Sequence, residues 1–232
     1  MPDKTSAGFS IICVFNDRKK LSRYLIQSLK LQKTRYELIA IDNRQNIFPC
    51  AATVLNETAA RARYDLLMFV HQDVALLSDT WLTDAQNNIE SLDNFGGAGV
   101  AGNGPQGVVA GIFHGTPPKP VGRVRITKPM PVQTVDGCLL IVPKNLFLGT
   151  GFDERTCPGW YLYVANFCLD MARQGRHIYV LPREVYHEST GPGNSRVLDE
   201  TRKNIIQKHR DHVGMIYTTM GEWSTGTKPG NS

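Results

Sequence analysis

Apolar runs of six or seven residues alternate with amphipathic stretches through the first hundred positions. Phe9 to Phe15 (FSIICVF) is continuous and β-rich, the pattern of a strand buried on both faces. Asn16-Asp17 then offers an N-cap, and Leu21, Leu25, Ser28, Leu29 and Leu31 fall near one face of the helix it opens. Tyr36 to Ile41 (YELIAI) reads as a second strand and ends in Asp42-Asn43. A helix over Ala51 to Ala62 leads to a third strand, Asp65 to Val70, and another near Asp79 to Ser91 leads to Gly97 to Gly102. This alternation predicts an α/β fold with a mostly parallel central sheet, right-handed crossovers and flanking helices.

The second half is less regular. Asn103 to Met130 is rich in Gly, Pro and basic residues, too long for an ordinary connection, and reads as a functional loop or hairpin excursion. Val132 to Val142 is strand-like, Trp160 to Arg173 helical, Ile178 to Leu181 a last short strand and Val197 to His212 a helix. The Gly/Ser/Thr-rich end beyond it is expected to fray.

A formal net charge of +5, with Lys and Arg dispersed, fits anionic ligands such as nucleotides or lipid-linked phosphates. No basic arm or aromatic-rich RNA signature accompanies it, which argues against nucleic acid as a partner. With no run of about 18 apolar residues and no leader pattern, the reading is a cytoplasmic protein, at most peripheral to the membrane. The five cysteines (Cys13, Cys50, Cys138, Cys157, Cys168) form no CxxC pair, against a disulfide framework or structural zinc, and three of them sit in apolar stretches as core filler. Asn56-Glu57-Thr58 matches a glycosylation sequon by chance. Gly97 to Gly102 satisfies GxGxxG, but Asn103-Gly104-Pro105 follows instead of a helix, so the fingerprint of nicotinamide and flavin enzymes lacks its anion-binding terminus.

Candidate chemistry concentrates where the third strand runs into His71-Gln72-Asp73. Ligands of open α/β sheets lie outside the carboxyl ends of strands. Residues two apart on an extended chain point the same way, so His71 and Asp73 can address one ligand. A carboxylate there suits a hard cation whose shell is completed by substrate phosphates. An Asp that merely turns the chain fits the same pattern.

Five blocks carry a wider resemblance: FSIICVFND, YELIAIDN, LNETAARARYDLLMFVHQDV, TVDGCLLIVPKNLFLGTGFDE and GWYLYVANFCLDMARQGRHIYVLPREVYHEST. In this order they resemble the family 2 glycosyltransferases of GT-A fold, in the variant with His-Gln-Asp for Asp-x-Asp, over nearly the whole chain. The resemblance implies one GT-A domain over residues 1–232. Its nucleotide-binding half would span about 9–102, its donor-sugar and acceptor half about 131–190, and its C-terminal loop, helix and tail 191–232. Phe15 and Asp42 would border the base, with Asn56, His71, Gln72 and Asp73 completing the nucleotide site. Asp136, Gly137 and Trp160 would meet sugar or acceptor, and Asp73 and His187 would ligate a divalent metal, Mn²⁺ or Mg²⁺, with imidazole favouring Mn²⁺. The implied partners are a UDP-, GDP- or dTDP-sugar donor, a glycan or lipid-linked acceptor, and a homo-oligomer or an assembly with other transferases of polysaccharide biosynthesis. Plainer roles stay open: His187 as a hydrogen-bonded strand-end residue, Asp136 as a turn former, Trp160 as core. Lys19 and Lys20 read as solvated, and the loop Gly191 to Arg196 as flexible enough to close over a diphosphate.

One departure matters. Inverting sugar transfer needs a general base, in this family a carboxylate in a Glu-Asp-x-Asp pattern on the late helix. Here the residues are Tyr163-Val164-Ala165-Asn166. Val164 stands at the usual base position, and Asn166 can orient an acceptor but cannot deprotonate it. Asp170, one turn on, and Asp153 and Glu154, before the helix, are the remaining candidates. The chain therefore reads as a metal-dependent, inverting transferase or as a weakly catalytic nucleotide-sugar-binding module. A nucleotidyltransferase would need a glycine-rich loop after the first strand, where Val14-Phe15-Asn16-Asp17-Arg18 has none.

Overall fold

The computed structural model describes residues 7–122, 125–188 and 196–226. Its strands, in chain order, begin with β1 (Phe9–Phe15), β2 (Tyr36–Asp42), β3 (Leu66–Val70), β4 (Val74–Leu76), β5 (Phe95–Gly99), β6 (Ala101–Asn103), β7 (Val109–Ala110) and β8 (Ile112–His114). They continue with β9 (Lys119–Pro120), β10 (Met130–Val132), β11 (Thr134–Val135), β12 (Leu139–Pro143), β13 (His177–Val180), β14 (Val185–His187), β15 (Met215–Thr218) and β16 (Gly221–Ser224). Seven form the central sheet, in the order β10-β13-β5-β12-β3-β1-β2. The pairings make β2, β1, β3, β5 and β13 point one way, with β12 inserted antiparallel between β3 and β5 and β10 antiparallel at the edge.

Period-two alternation explains why the middle strands are continuous apolar runs. Ile12, Leu67, Phe69, Leu140 and Val142 enter one core, under the helices Ala51–Ala60, Lys144–Thr150 and Tyr163–Arg173. Ile11, Cys13, Met68, Val70, Leu139 and Ile141 enter the other, with Leu25, Trp81 and Leu82 from the helices opposite. All five cysteines are free and buried. No helix among the described residues is long and apolar enough to cross a membrane.

Several expectations need correction. The first helix is capped by Asp17, whose side chain accepts from the amides of Lys19 and Lys20, but it widens into a π-turn over Ser22–Ile26 and ends at Leu29. Leu31 therefore lies beyond it, 61% exposed, instead of on its apolar face. Gly97 to Gly102 is two strands, β5 and β6, and its glycines serve close packing. A Cβ on Gly99 would lie 2.8 Å from the Val135 Cβ, and one on Gly102 2.5 Å from the Thr134 carbonyl oxygen. The single strand expected over Val132 to Val142 is broken into β10, β11 and β12, because Gln133 and the Asp136-Gly137 turn leave the ladder. The helix Lys144–Thr150 had no counterpart in the sequence reading.

The tail is not frayed over its described part. β15 and β16 form a hairpin in which Thr218 pairs with Gly221. Thr134 Oγ1 donates to the Tyr217 carbonyl (2.6 Å), Asn103 Nδ2 to the Thr218 carbonyl (2.9 Å) and the Tyr217 amide to Gln133 Oε1 (2.6 Å). The hairpin is thereby moored to β6 and β11, beside the site described next.

Candidate active site

β3 ends against β12, and the His71 amide extends that ladder by donating to the Cys138 carbonyl (2.9 Å). The chain then turns, with the Val74 amide on the His71 carbonyl (3.3 Å), and enters β4. β4 pairs antiparallel with β14 so that His187 faces Val74, and the Glu188 amide donates to the Asp73 carbonyl (3.2 Å). A turn, not an extended strand, brings His71 and Asp73 together, and the β4–β14 ladder adds His187. His187 Nε2 lies 3.5 Å from Asp73 Oδ1 and 3.4 Å from His71 Nδ1. One ligand atom from each of the three falls within 4.8 Å of the others.

Asp73 and His187 are 6% and 8% exposed. Burial raises the Asp73 carboxyl pKa, but the bond to His187 and the charges around it outweigh this and hold it below the usual carboxylate range. Burial, reinforced by His187, lowers that of His71. An ionised carboxylate and a neutral imidazole are the states in which these groups bind metal. One oxygen and two imidazole nitrogens converging on one spot fit a divalent transition ion better than Mg²⁺, which prefers oxygen alone.

The surroundings stiffen this corner. The His114 ring Nδ1 bonds the His187 carbonyl oxygen. Tyr24 stacks on Tyr186 at 5.5 Å and donates from its hydroxyl to Glu188 Oε1 (2.8 Å). Lys20, expected to be solvated, reaches Glu188 Oε2 at 2.5 Å.

Two cavities meet at His71. One, of about 420 Å³, opens at the carboxyl ends of β1 and β3 between Phe15, Asn43, Asn46, Leu55, Asp73 and Trp160. The other, of about 720 Å³, lies between His114, Asp136, Gly137, Val164, His187 and Met220. His71, Trp160, Tyr161 and Tyr163 line both. Leu162 between these aromatics takes a left-handed backbone (φ 60°), a conformation costly for a branched side chain and typical of sites held under strain. Asp136 accepts from the Cys138 amide (2.9 Å) and the Thr219 hydroxyl (2.6 Å).

Phe15, His71, Asp73, Asp136, Gly137, Trp160 and His187 thus share one cleft, together with Gln72. Gln72, however, spends its amide on the first helix, accepting from the Asn16 and Asp17 amides (3.0 and 2.8 Å) and donating to Asn16 Oδ1 (2.6 Å). Asn56 is a strut: its side chain donates to the Phe152 carbonyl (2.9 Å) and accepts from the Phe152 amide (2.8 Å). Asp42 ends β2 in a two-pronged pair with Arg44 and borders neither cavity. The loop Gly191 to Arg196 lies, but for Arg196, outside the described residues.

Asn166 is the main correction. It is fully buried, lines neither cavity, and donates to Asp170 Oδ2 (3.3 Å) with Oδ1 3.0 Å from His209 Nε2. Lys208 bridges Asp170 (2.7 Å) and Asp153 (2.9 Å), so both carboxylates proposed as relocated bases are structural, clamping the helix Arg196–His209 onto Tyr163–Arg173. Glu154 lies with them, on a surface hollow away from His71. His114 and Thr219 were missed, because neither sits in a recognisable motif.

His209 makes this clamp pH-sensitive. Burial, with help from Lys208 and Arg173, lowers its pKa from 6.5 to about 4. Between those values the unfolded chain binds a proton that the folded chain refuses, so stability rises with pH through this window and falls on acidification. Urea unfolding of wild type and His209→Gln from pH 7.5 to 4 should show a loss of up to about 3 kcal/mol that the variant lacks. Parallel pH profiles would contradict it.

The model of the glycosyltransferase-like family matches residues 10–209. The chain belongs to that family. Its α/β architecture is the GT-A fold, shared with solved structures of low sequence identity. GalNAc-T7, solved with UDP, GalNAc and Mn²⁺, superimposes with a TM-score of 0.64 at 14% identity, over 88% of this chain and 48% of that one. S. aureus TarS 1-349 in complex with UDP-GlcNAc gives 0.59 at 15% identity, over 87% and 66%. The mannosyltransferase PcManGT from Pyrobaculum calidifontis, in complex with GDP-Man and Mn²⁺, gives 0.54 at 13%, over 88% and 62%. This chain thus spans about half the length of the GalNAc-T7 chain. No curated protein matches it in sequence.

Proposed function

We propose that this family member is a metal-dependent, inverting glycosyltransferase that moves a sugar from a nucleotide-sugar to a hydroxyl of a glycan or lipid-linked acceptor. The observation that carries the reading is the His71–Asp73–His187 cluster standing where the two cavities meet. The complexes of the structural neighbours with UDP, UDP-GlcNAc and GDP-Man, two of them with Mn²⁺, support a donor of that class.

The smaller cavity takes the nucleoside, with Phe15 and Asn43 at its wall, and the larger takes the sugar and the acceptor against Asp136, Gly137 and Trp160. His71, Asp73 and His187 hold the cation, Mn²⁺ in preference to Mg²⁺, which when bound neutralises charge on the departing diphosphate. Gln72 serves by fixing the loop beneath this site. Titration calorimetry with UDP and GDP, with and without Mn²⁺, tests the reading: the metal should tighten one nucleotide at least about tenfold. Equal affinities with and without metal would sink it.

The second reading, a nucleotide-sugar-binding module with little turnover, draws on Val164 and Ala165, which present apolar side chains to the larger cavity. Sustained hydrolysis of a bound donor would end it.

A further inference from the structure

A hydroxyl attacking an anomeric carbon must lose its proton, and the helix Tyr163–Arg173 turns no carboxylate toward the larger cavity. Val164 and Ala165 line it, while Asn166, Asp170 and Asp153 are committed to the clamp beneath. Among the described residues lining the larger cavity, Asp136 is the carboxylate.

We propose that Asp136 is the proton acceptor of the reaction, and that Thr219, at the turn of the C-terminal hairpin, is the positioning residue that aims it. The proposal rests on the transferase reading above. The acceptor hydroxyl, or water in donor hydrolysis, gives its proton to an Asp136 oxygen as its own oxygen bonds to the anomeric carbon. The bond from that carbon to the diphosphate breaks, and its electron pair leaves with the diphosphate oxygen. Asp136 later returns the proton to solvent.

Three features support this. The carboxylate is oriented from both sides, Oδ1 by the Cys138 amide and Oδ2 by the Thr219 hydroxyl; with the Cys138 thiol these are three donors against about four lone-pair directions, which leaves one for an incoming proton. Space is reserved beside it, since a Cβ on Gly137 would meet nothing within 4 Å. The Thr219 turn is itself fixed, because Thr134 and Asn103 bond the carbonyls of Tyr217 and Thr218 just before it. Burial alone would raise the Asp136 pKa, and the bonds from Thr219 and Cys138 more than offset that, so the group is ionised when substrate arrives. The titratable groups that act on it are His71 from the turn after β3, Cys138 on its own segment and Tyr163 from the late helix.

The test needs no knowledge of the acceptor. Hydrolysis of UDP-GlcNAc, UDP-GalNAc and GDP-mannose with Mn²⁺ is followed for wild type, Asp136→Asn, Thr219→Val, Thr219→Ser and His114→Gln, beside calorimetric UDP and GDP affinities. Asp136→Asn should lower kcat about 100-fold or more while nucleotide affinity holds within about twofold. Thr219→Val should lower kcat about tenfold at unchanged KM and move the acidic limb of the pH profile upward, and Thr219→Ser should restore both. The proposal is overturned if Asp136→Asn keeps its rate, if it weakens nucleotide binding as much as turnover, or if His114→Gln reproduces the loss while its Mn²⁺-dependent nucleotide affinity stays at the wild-type value. Wild type that binds nucleotide with Mn²⁺ yet hydrolyses no donor would instead remove the transferase reading, and this proposal with it.

Discussion

Changing Asp73 to Asn should remove most of the Mn²⁺-dependent affinity for nucleoside diphosphate, a loss of about 100-fold or more, with the fold retained. Partners merely supporting a metal ligand typically contribute 10–100-fold, and Asp73 is the anionic member of its cluster. The amide keeps the shape but not the charge that balances a dication. His187→Ala should act in the same direction, because its Nε2 lies within 3.5 Å of the carboxylate. Direct Mn²⁺ titration by electron paramagnetic resonance reads the site without any nucleotide. Wild-type Mn²⁺ affinity in Asp73→Asn would show that the three side chains form a hydrogen-bonded corner and nothing more.

The second large effect concerns Asn166. By sequence it invites the idea that Asn166→Asp would restore a missing acid and with it activity. The structure predicts the opposite. A carboxylate at this fully buried position would stand against the Asp170 carboxylate and replace the amide hydrogens that Asp170 accepts. Burying that charge should cost about 2–4 kcal/mol at pH 8. The penalty should shrink toward pH 5, where the pair formed with His209 takes up a proton and becomes an attractive contact. Chemical denaturation at the two pH values, with donor hydrolysis alongside, checks both parts. A gain in turnover would return Asn166 to the reaction.

These positions show what the sequence could and could not convey. β1 was legible to the residue because it is buried on both faces, so apolar character alone marks its ends. The acid of the cluster, Asp73, was legible for a similar reason, lying three residues past the end of the buried β3. The clamp was not. Asn166, Asp170 and Lys208 are polar residues that also find partners on another helix, and spacing along one helix says nothing of which face meets a neighbour. The hairpin β15–β16 hid behind a Gly, Ser and Thr composition, although Ile216 and Thr218 alternate inward as a strand requires. His114 ends β8, a strand of three residues, too short for its period to stand out in the sequence. Leu31 was misplaced because the helix stops at Leu29, and apolar spacing that continues past a helix end does not show where the end falls.

The antiparallel insertion of β12 also governs the order of assembly at the ribosome. β1, β2 and β3 can pair once residue 70 has emerged, but β5 cannot join them, since its neighbours are β12 and β13. Until residues 139–143 arrive, β3 offers a bare edge of Leu, Met, Phe and Val, the kind of template on which nascent chains stick to one another. That edge is covered only when β12 pairs with it, and the same strand carries in the turn that bears Asp136.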